Sequence, residues 1–408
     1  MQLIDDLRPL SLADYEHVIE MYAAECSAIP GVSAIYQFGS VGAPGLSDID
    51  LMVVLDEDAP LDGAELQRLS VKNERWRGEA LIRDCFVHDV YVCTRRSFNH
   101  IDWLLPGNRW IQRAGVEEHR EPPDGTDREI VEIVHGLDFC IERLHELVRL
   151  GDGAVRSVRW LVPQLWSLTH TRRMLTDAGA PLERSWGELV SSLEQLRATP
   201  PDHIRASDVA ALIPMVRAHF ESGVEHFAAL LAQRAEFPVQ PVRESAVASY
   251  ATRTLHVYPA SRSGAAPRAS AVALERHFTF AGRTVAATWS RLELPAIVLA
   301  HHLAYFSLDE RYATVSARLA RRSGLADTRA SAAYHRVLAR RTATMRASEE
   351  ALHERRGRLA LPGIPGLPAP FPARARRRGT WTFRAVRSWL DWRLLPAGVV
   401  GIEGGQAR

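Results

Sequence analysis

Two short apolar stretches joined by a glycine-bearing loop constrain the fold of this chain more than any other feature. The first ends in Gly39-Ser40, and the second runs from Ile49 to Leu55, with Asp48 just before it and Asp50 within it. Apolar runs of this length, bounded by turn residues, are typical of buried strands. Because side chains alternate between the two faces of a strand, Asp48 and Asp50 are predicted to point the same way.

Paired carboxylates on one face of a strand repel each other, and the usual reason for placing them there is a bound divalent cation. Oxygen ligands of this kind favour Mg²⁺. Gly39 and Ser40 come where the first strand ends, and their backbone N–H groups suit a phosphate. The two stretches together predict a nucleotide-handling site.

A third strand is predicted over residues 85–93, and it carries Asp89 among apolar neighbours. A polar helix over 64–80 would connect the second and third strands, which gives the βαβ order of an α/β core. Three carboxylates on adjacent strands can hold two Mg²⁺ ions for an in-line displacement at phosphorus. By alternation His88 faces away from Asp89, which favours a packed core histidine over a ligand.

The order Phe38-Gly39-Ser40, then Asp48-Ile49-Asp50-Leu51, then Asp89 resembles the signature of the DNA polymerase β-like nucleotidyltransferase superfamily. The resemblance covers roughly residues 11–95. It implies that Gly39 and Ser40 hold the nucleotide phosphates and that Asp48 and Asp50 bind both metal ions. It also implies that Asp89 completes one metal site and helps to deprotonate the acceptor hydroxyl.

The activity implied by the resemblance is transfer of a nucleoside monophosphate, expected to be AMP, from a nucleoside triphosphate to an acceptor hydroxyl. Pyrophosphate is released, and two Mg²⁺ ions are the expected cofactors, with ATP as co-substrate. The acceptor is left open between a small molecule such as an aminoglycoside, a protein and an RNA. A helical-domain acid, Glu142 or Glu146, is a candidate acceptor base, because some relatives use one.

Only seven residues separate Ser40 from Asp48, and none of them is basic. Many members of the superfamily have an arginine there, so further phosphate contacts come from elsewhere in the chain or are missing. This departure motivates an alternative function, a catalytically weak nucleotide-binding regulatory or interaction protein of the same fold. A second alternative is a different α/β fold in which these acids are solvated surface residues.

Other phosphate-binding and metal-binding motifs are excluded or disfavoured. Gly39, Gly42 and Gly45 are not followed by Lys-Ser/Thr, and there is no strand–GxGxxG–helix order, so P-loop and Rossmann sites are excluded. His301-His302 lacks a third ligand at helical spacing, which favours a structural role.

Four regions are predicted from composition and periodicity. An α/β nucleotidyltransferase core with a mixed sheet is followed by an all-α helical bundle and then by a basic α+β region. A linker rich in proline and glycine, with an arginine- and tryptophan-rich tail, ends the chain. Their predicted bounds are 1–122, 123–237, 238–360 and 361–408.

Charge is distributed unevenly. Residues 1–250 carry 24 basic and 39 acidic side chains, a net −15, whereas residues 251–408 carry 26 and 10, a net +16. The basic half is expected either to dock on the acidic half of this chain or a second copy, or to bind an acidic partner such as RNA, a phosphorylated acceptor or an anionic membrane surface. No signal peptide or membrane span is predicted, and four scattered cysteines fit a cytoplasmic protein.

Overall fold

The structure is a computed structural model in which most of the first 308 residues and one later helix are described. The described residues are 2–58, 65, 68–71, 76, 79–148, 155–236, 246–250, 253–258, 270–280, 283–308, 313, 317, 321 and 330–357. The predicted linker and tail after residue 360, and most of the predicted connecting helix over 64–80, lie outside them.

The amino-terminal part is built on a mixed four-stranded sheet. Its strands are β2 (Val32–Phe38), β3 (Asp50–Leu55), β4 (Tyr91–Thr94) and β5 (Ile111–Gly115), in the spatial order β4-β3-β2-β5. Strands β3 and β4 are parallel, and β2 runs antiparallel to both β3 and β5. The sheet confirms the predicted α/β core with its parallel pair, and β5 is a strand that the sequence did not indicate.

Ser11 is predicted from the sequence to cap a first helix, and helix α1 (Leu12–Ser27) begins there, with the Ser11 hydroxyl accepting a hydrogen bond from the backbone N–H of Asp14. Its apolar stripe at helical spacing is buried, as the sequence predicted. The buried members of this stripe are Tyr15, Val18, Ile19 and Tyr22.

The third strand is shorter than predicted. Residues Ala80–Cys85 form a helix, α2, and β4 begins only at Tyr91, so the predicted strand over 85–93 was wrong in its first half. The β-branched and aromatic residues before Tyr91 suit a strand, but Phe86 and Val90 are buried in a connecting segment instead. Asp89 therefore precedes the strand, and the alternation argument does not apply to it or to His88.

A helical unit follows the sheet, as predicted. A separate four-residue helix, α3 (Arg95–Phe98), lies between β4 and β5, and the four long helices of the unit pack mainly on one another. They are α4 (Gly125–Val148), α5 (Val158–Asp177), α6 (Arg184–Ala198) and α7 (Ala206–Arg234). The apolar pattern predicts two helices here, over 206–220 and 224–235, and the structure joins them in the single helix α7. A short parallel pair, β1 (Gln2–Ile4) with β6 (Val155–Ser157), joins the chain's start to the beginning of α5.

The described part of the second half holds a separate antiparallel sheet and two helices. The strands are β7 (Ala246–Tyr250), β8 (Arg253–Tyr258), β9 (Ser270–Phe280) and β10 (Arg283–Leu294), and the helices are α8 (Ala296–Ser307) and α9 (Ala332–Gly357). The sequence over 275–289 predicts a hairpin, and β9 and β10 are paired antiparallel there. Among the described helices, none is long and apolar enough to cross a membrane.

Candidate metal and phosphate site

Asp48, Asp50 and His88 come together at one edge of the mixed sheet. Strands β3 and β4 are parallel, with Met52 opposite Tyr91, so residues at the start of each strand reach the same edge. Asp50 is the first residue of β3, and Asp48 and His88 lie in the segments just before their strands. One ligand atom from each of the three side chains lies within 4.8 Å of the others.

Gly39 closes this site from the side of β2. It follows Phe38, which is paired with Asp50, and its φ of +73° is in the left-handed region that favours glycine. A Cβ placed on Gly39 would lie 2.5 Å from Oδ2 of Asp50. The backbone of the predicted phosphate loop therefore lies directly against the carboxylate of the predicted metal pair. Ser40 is exposed beside it, and its hydroxyl accepts a hydrogen bond of 3.3 Å from the N–H of Gly42.

His88 bridges the two carboxylates. Its Nδ1 lies 2.6 Å from the carbonyl oxygen of Asp89, and its Nε2 lies 2.9 Å from Oδ1 of Asp50 and 3.4 Å from Oδ2 of Asp48. A carbonyl oxygen can only accept, so Nδ1 donates to it, and an ionised carboxylate requires that Nε2 donate as well. Both ring nitrogens therefore carry protons, and the imidazolium places a positive charge between the two acids.

The electrostatics of the three groups agree with this arrangement. Burial acts against a charged His88, but Tyr91 and the hydrogen bonds to the two carboxylates outweigh it and raise the pKa of His88 well above its usual value. Burial also acts to raise the pKa of Asp48, yet the hydrogen bond and charge of His88 lower that pKa overall. Burial and then the charge of Asp48 raise the pKa of Asp50. Because the pKa of Asp48 is lowered and that of Asp50 is raised, Asp48 ionises before Asp50.

The structure places Asp89 in a different network from the Asp48–Asp50 pair. Its carboxylate is 3% exposed, and it accepts hydrogen bonds from the Ser70 hydroxyl at 2.6 Å and from the backbone N–H of Val71 at 3.0 Å. The predicted triad of carboxylates is therefore replaced by two carboxylates and a histidine. The resemblance implied a metal-binding role for Asp89 on the third strand, but β4 begins at Tyr91, after Asp89. That role stays a prediction.

The loop between Ser40 and Asp48 is held by two buried side chains. The Tyr15 hydroxyl donates to the carbonyl of Ser47 at 2.6 Å and accepts from the N–H of Gly45 at 3.1 Å. Arg159, which is 9% exposed, donates to the carbonyls of Leu46 and Ser47 from the start of α5. Burial raises the pKa of Tyr15 to about 12, so its phenol stays protonated as a donor at neutral pH. The loop is therefore fixed before any ligand arrives.

Helix α4 brings a second cation toward the acids. The charge of Arg143 acts to lower the pKa of Asp50, and its guanidinium lies 5.0 Å from the ring centre of Phe139. Its Nη1 donates to Gln164 and its Nη2 lies 3.5 Å from Oε1 of Glu142, whereas its buried Nε has no hydrogen-bond partner among the described residues. Glu142 therefore lies beside Arg143, and its suggested role as an acceptor base remains a prediction. The side chain of Glu146 is outside the described residues.

Helix α6 brings Arg197 onto the loop between Ser40 and Asp48. Its Nη2 donates to the Ser47 hydroxyl at 3.3 Å, and its guanidinium carbon lies 4.4 Å from the ring centre of Trp166. Sequence reasoning missed Arg159 and Arg197, because each is more than 110 residues from the loop it contacts and neither belongs to a local motif. No pattern within the sequence signals such a contact.

The donor set fits a divalent cation. Two carboxylates at one edge, with a nearby imidazole, suit Mg²⁺ or Mn²⁺ through their oxygens, and a neutral imidazole would add a ligand that suits Mn²⁺ and Zn²⁺ better than Mg²⁺. The expectation of two ions relied on Asp89 and stays a prediction. No family model, curated protein or solved structure matches this chain.

Proposed function

We propose that this protein is a Mg²⁺-dependent nucleotidyltransferase that moves a nucleoside monophosphate, AMP in the first instance, from its triphosphate to an acceptor hydroxyl. The observation that carries the proposal is the contact between Gly39 and Asp50. The backbone of Gly39, which carries no side chain, lies against a carboxylate of the proposed cation-binding pair. A phosphate bound at this backbone would therefore lie next to the cation.

Each residue of the site has a role in this proposal. Asp48 and Asp50 would hold the cation, and the backbone of Gly39 with the hydroxyl of Ser40 would bind the phosphates. A bound Mg²⁺ would stabilise charge on the phosphates and favour ionisation of the acceptor hydroxyl. The acceptor oxygen attacks the α-phosphorus, and the bond to the leaving pyrophosphate breaks. Tyr15 and Arg159 keep the loop in position for this displacement.

A second candidate function is supported by His88 and Asp89. His88 stands between the two acids, and the carboxylate of Asp89 is committed to Ser70 and Val71. A site with two carboxylates in place of three suits a protein that binds a nucleotide and transfers it slowly or not at all. Such a protein would act as a regulatory or interaction module of the same fold.

Label transfer tests the first proposal. Purified protein is incubated with each α-labelled nucleoside triphosphate and Mg²⁺, alone and with aminoglycosides, lysate protein or total RNA, and pyrophosphate release is measured in parallel. Asp50→Asn is expected to lower transfer about 100-fold or more, because the pair loses charge and a ligand oxygen. Asp56→Asn is the matched control, since Asp56 follows the opposite end of β3.

Transfer with the wild-type protein that Asp50→Asn abolishes and Asp56→Asn preserves supports the enzyme. Absence of both label transfer and pyrophosphate release with every acceptor contradicts it. If Mg²⁺-dependent ATP binding persists in that case, the second candidate function takes its place.

A further inference from the structure

Three arginines of the helical unit lie near the candidate site, and their hydrogen bonds separate them into different roles. Arg159 is buried, and its donors are used by the loop carbonyls and by the carbonyl of Asp84 at 3.1 Å. Arg143 is engaged by Gln164 and by a carboxylate, Glu142. Arg197 differs from both, because among the described residues it forms no ion pair with a carboxylate.

Arg197 therefore carries a charge that is partly buried and not neutralised by a neighbouring acid. Burial lowers the pKa of its guanidinium, but an arginine starts so high that it stays charged. Of its five N–H donors, the described contacts use one, to the Ser47 hydroxyl. A partly buried guanidinium whose donors are mostly unused by the described contacts suits an anionic ligand.

The position of Arg197 beside the loop between Ser40 and Asp48 suits a phosphate group as that ligand. Its Nη2 lies 3.2 Å, and the Ser40 hydroxyl 3.3 Å, from the point that a Cβ on Gly42 would occupy. Arg197 thus stands over the loop on the same side as the exposed Ser40. The ring of Trp166 beneath the guanidinium restricts its plane, which prepares it for a planar, two-pronged contact with phosphate oxygens.

We propose that Arg197 binds the β- and γ-phosphates of the nucleoside triphosphate, supplying from helix α6 the cation that the loop between Ser40 and Asp48 lacks. This inference rests on the proposed function, because it names a contact to the same nucleotide. It makes Arg197 a residue that distinguishes a triphosphate from a monophosphate. It also makes the nucleotide a ligand shared between the sheet and the helical unit.

Calorimetric titration of the full chain with ATP and with AMP, both in Mg²⁺, tests the proposal. Arg197→Gln is expected to weaken ATP binding about 10- to 100-fold, because charge-assisted hydrogen bonds to phosphate are lost. AMP binding should change less than about threefold, since AMP has no β- or γ-phosphate. Arg197→Lys keeps the charge without the planar fork and should recover part of the ATP affinity. Arg184→Gln, on an exposed site of the same helix, is the matched control and should bind both nucleotides as the wild type does.

Equal ATP affinity in Arg197→Gln and Arg184→Gln would overturn the inference and leave the proposed function standing. An equal loss of ATP and AMP binding, not recovered by Arg197→Lys, would also overturn it, because Arg197 would then only support the loop. If the wild-type chain binds no ATP in Mg²⁺, the inference and the proposed function fail together.

Discussion

The backbone of Gly39 lies directly against the acidic pair. Its left-handed φ and the 2.5 Å separation between a built Cβ and Oδ2 of Asp50 leave no room for a side chain. Gly39→Ala should lower the free energy of unfolding by about 1 to 3 kcal/mol through backbone strain. It should also displace the Asp50 carboxylate and weaken Mg²⁺-dependent ATP binding, measured by titration.

Gly107→Ala separates those two effects. Gly107 has a similar φ of +71°, but a Cβ there meets nothing within 4 Å. Both variants should lose a comparable free energy of unfolding in urea, and only Gly39→Ala should lose ATP affinity. Equal ATP binding by the two variants would show that the contact between Gly39 and Asp50 has no bearing on the site.

Sequence reasoning was sound for residues whose position depends on local pattern. Asp48 and Asp50 lie together at one edge because they come directly before and at the start of a buried strand. Alternation within a strand does not account for these positions, because Asp48 precedes β3 and both His88 and Asp89 precede β4, which starts at Tyr91. His88 faces the two acids, where alternation favoured a packed core histidine, and the metal-binding role of Asp89 stays a prediction.

At the scale of elements, helix α9 connects the basic half of the chain to the acidic half. Arg341 donates to Oδ2 of Asp138 on α4 at 2.9 Å, and the two side chains are 0% and 1% exposed. Arg336, on the same helix, pairs with Asp127 at 2.8 Å but is 61% exposed. Arg336 and Arg341 therefore pair with acids of the same chain, whereas Arg340 contacts His100 and Trp103, and the partner of the basic half as a whole stays a prediction.

The burial of the Arg341 pair gives it a large effect on stability. Arg341→Ala leaves the Asp138 carboxylate in the interior without this partner and should cost about 3 to 5 kcal/mol in the free energy of unfolding. Arg336→Ala removes an exposed pair and should cost less than about 1 kcal/mol. Urea unfolding followed by circular dichroism measures both. Similar midpoints for the two variants would contradict the docking of α9 through a buried ion pair.

Elements with strong periodicity were predicted well, and their boundaries less so. The stripe of α1 and the continuous apolar runs of β2 and β3 are local properties, and the structure buries both. Helix α7 runs through residue 222, where a break was predicted. Gly223 is needed there for packing, because a Cβ on it would lie 3.1 Å from the Cys140 sulfur. From the sequence alone, a glycine that permits close contact between two helices cannot be distinguished from a glycine that ends a helix.

At the scale of the whole molecule, the candidate site is assembled from two structural units. The sheet supplies the acids and the phosphate loop, and the helical unit supplies Arg159 to hold the loop and Arg197 to face it. The fold class and the acids were accessible from sequence because they follow from neighbouring residues. The arginines were not, because tertiary packing alone decides which of many helical arginines reaches the loop.

Asp48 and Asp50 are proposed to form a cation site that works together with a nucleotide. Electron paramagnetic resonance of free Mn²⁺, titrated with protein in the presence and absence of ATP, measures such a site, because carboxylates suit Mn²⁺ as they suit Mg²⁺. We expect the wild-type protein to bind Mn²⁺ more tightly with ATP, and Asp50→Asn to weaken binding at least about tenfold whereas Asp56→Asn does not. Mn²⁺ binding that is the same in wild-type protein and Asp50→Asn, with or without ATP, would contradict it.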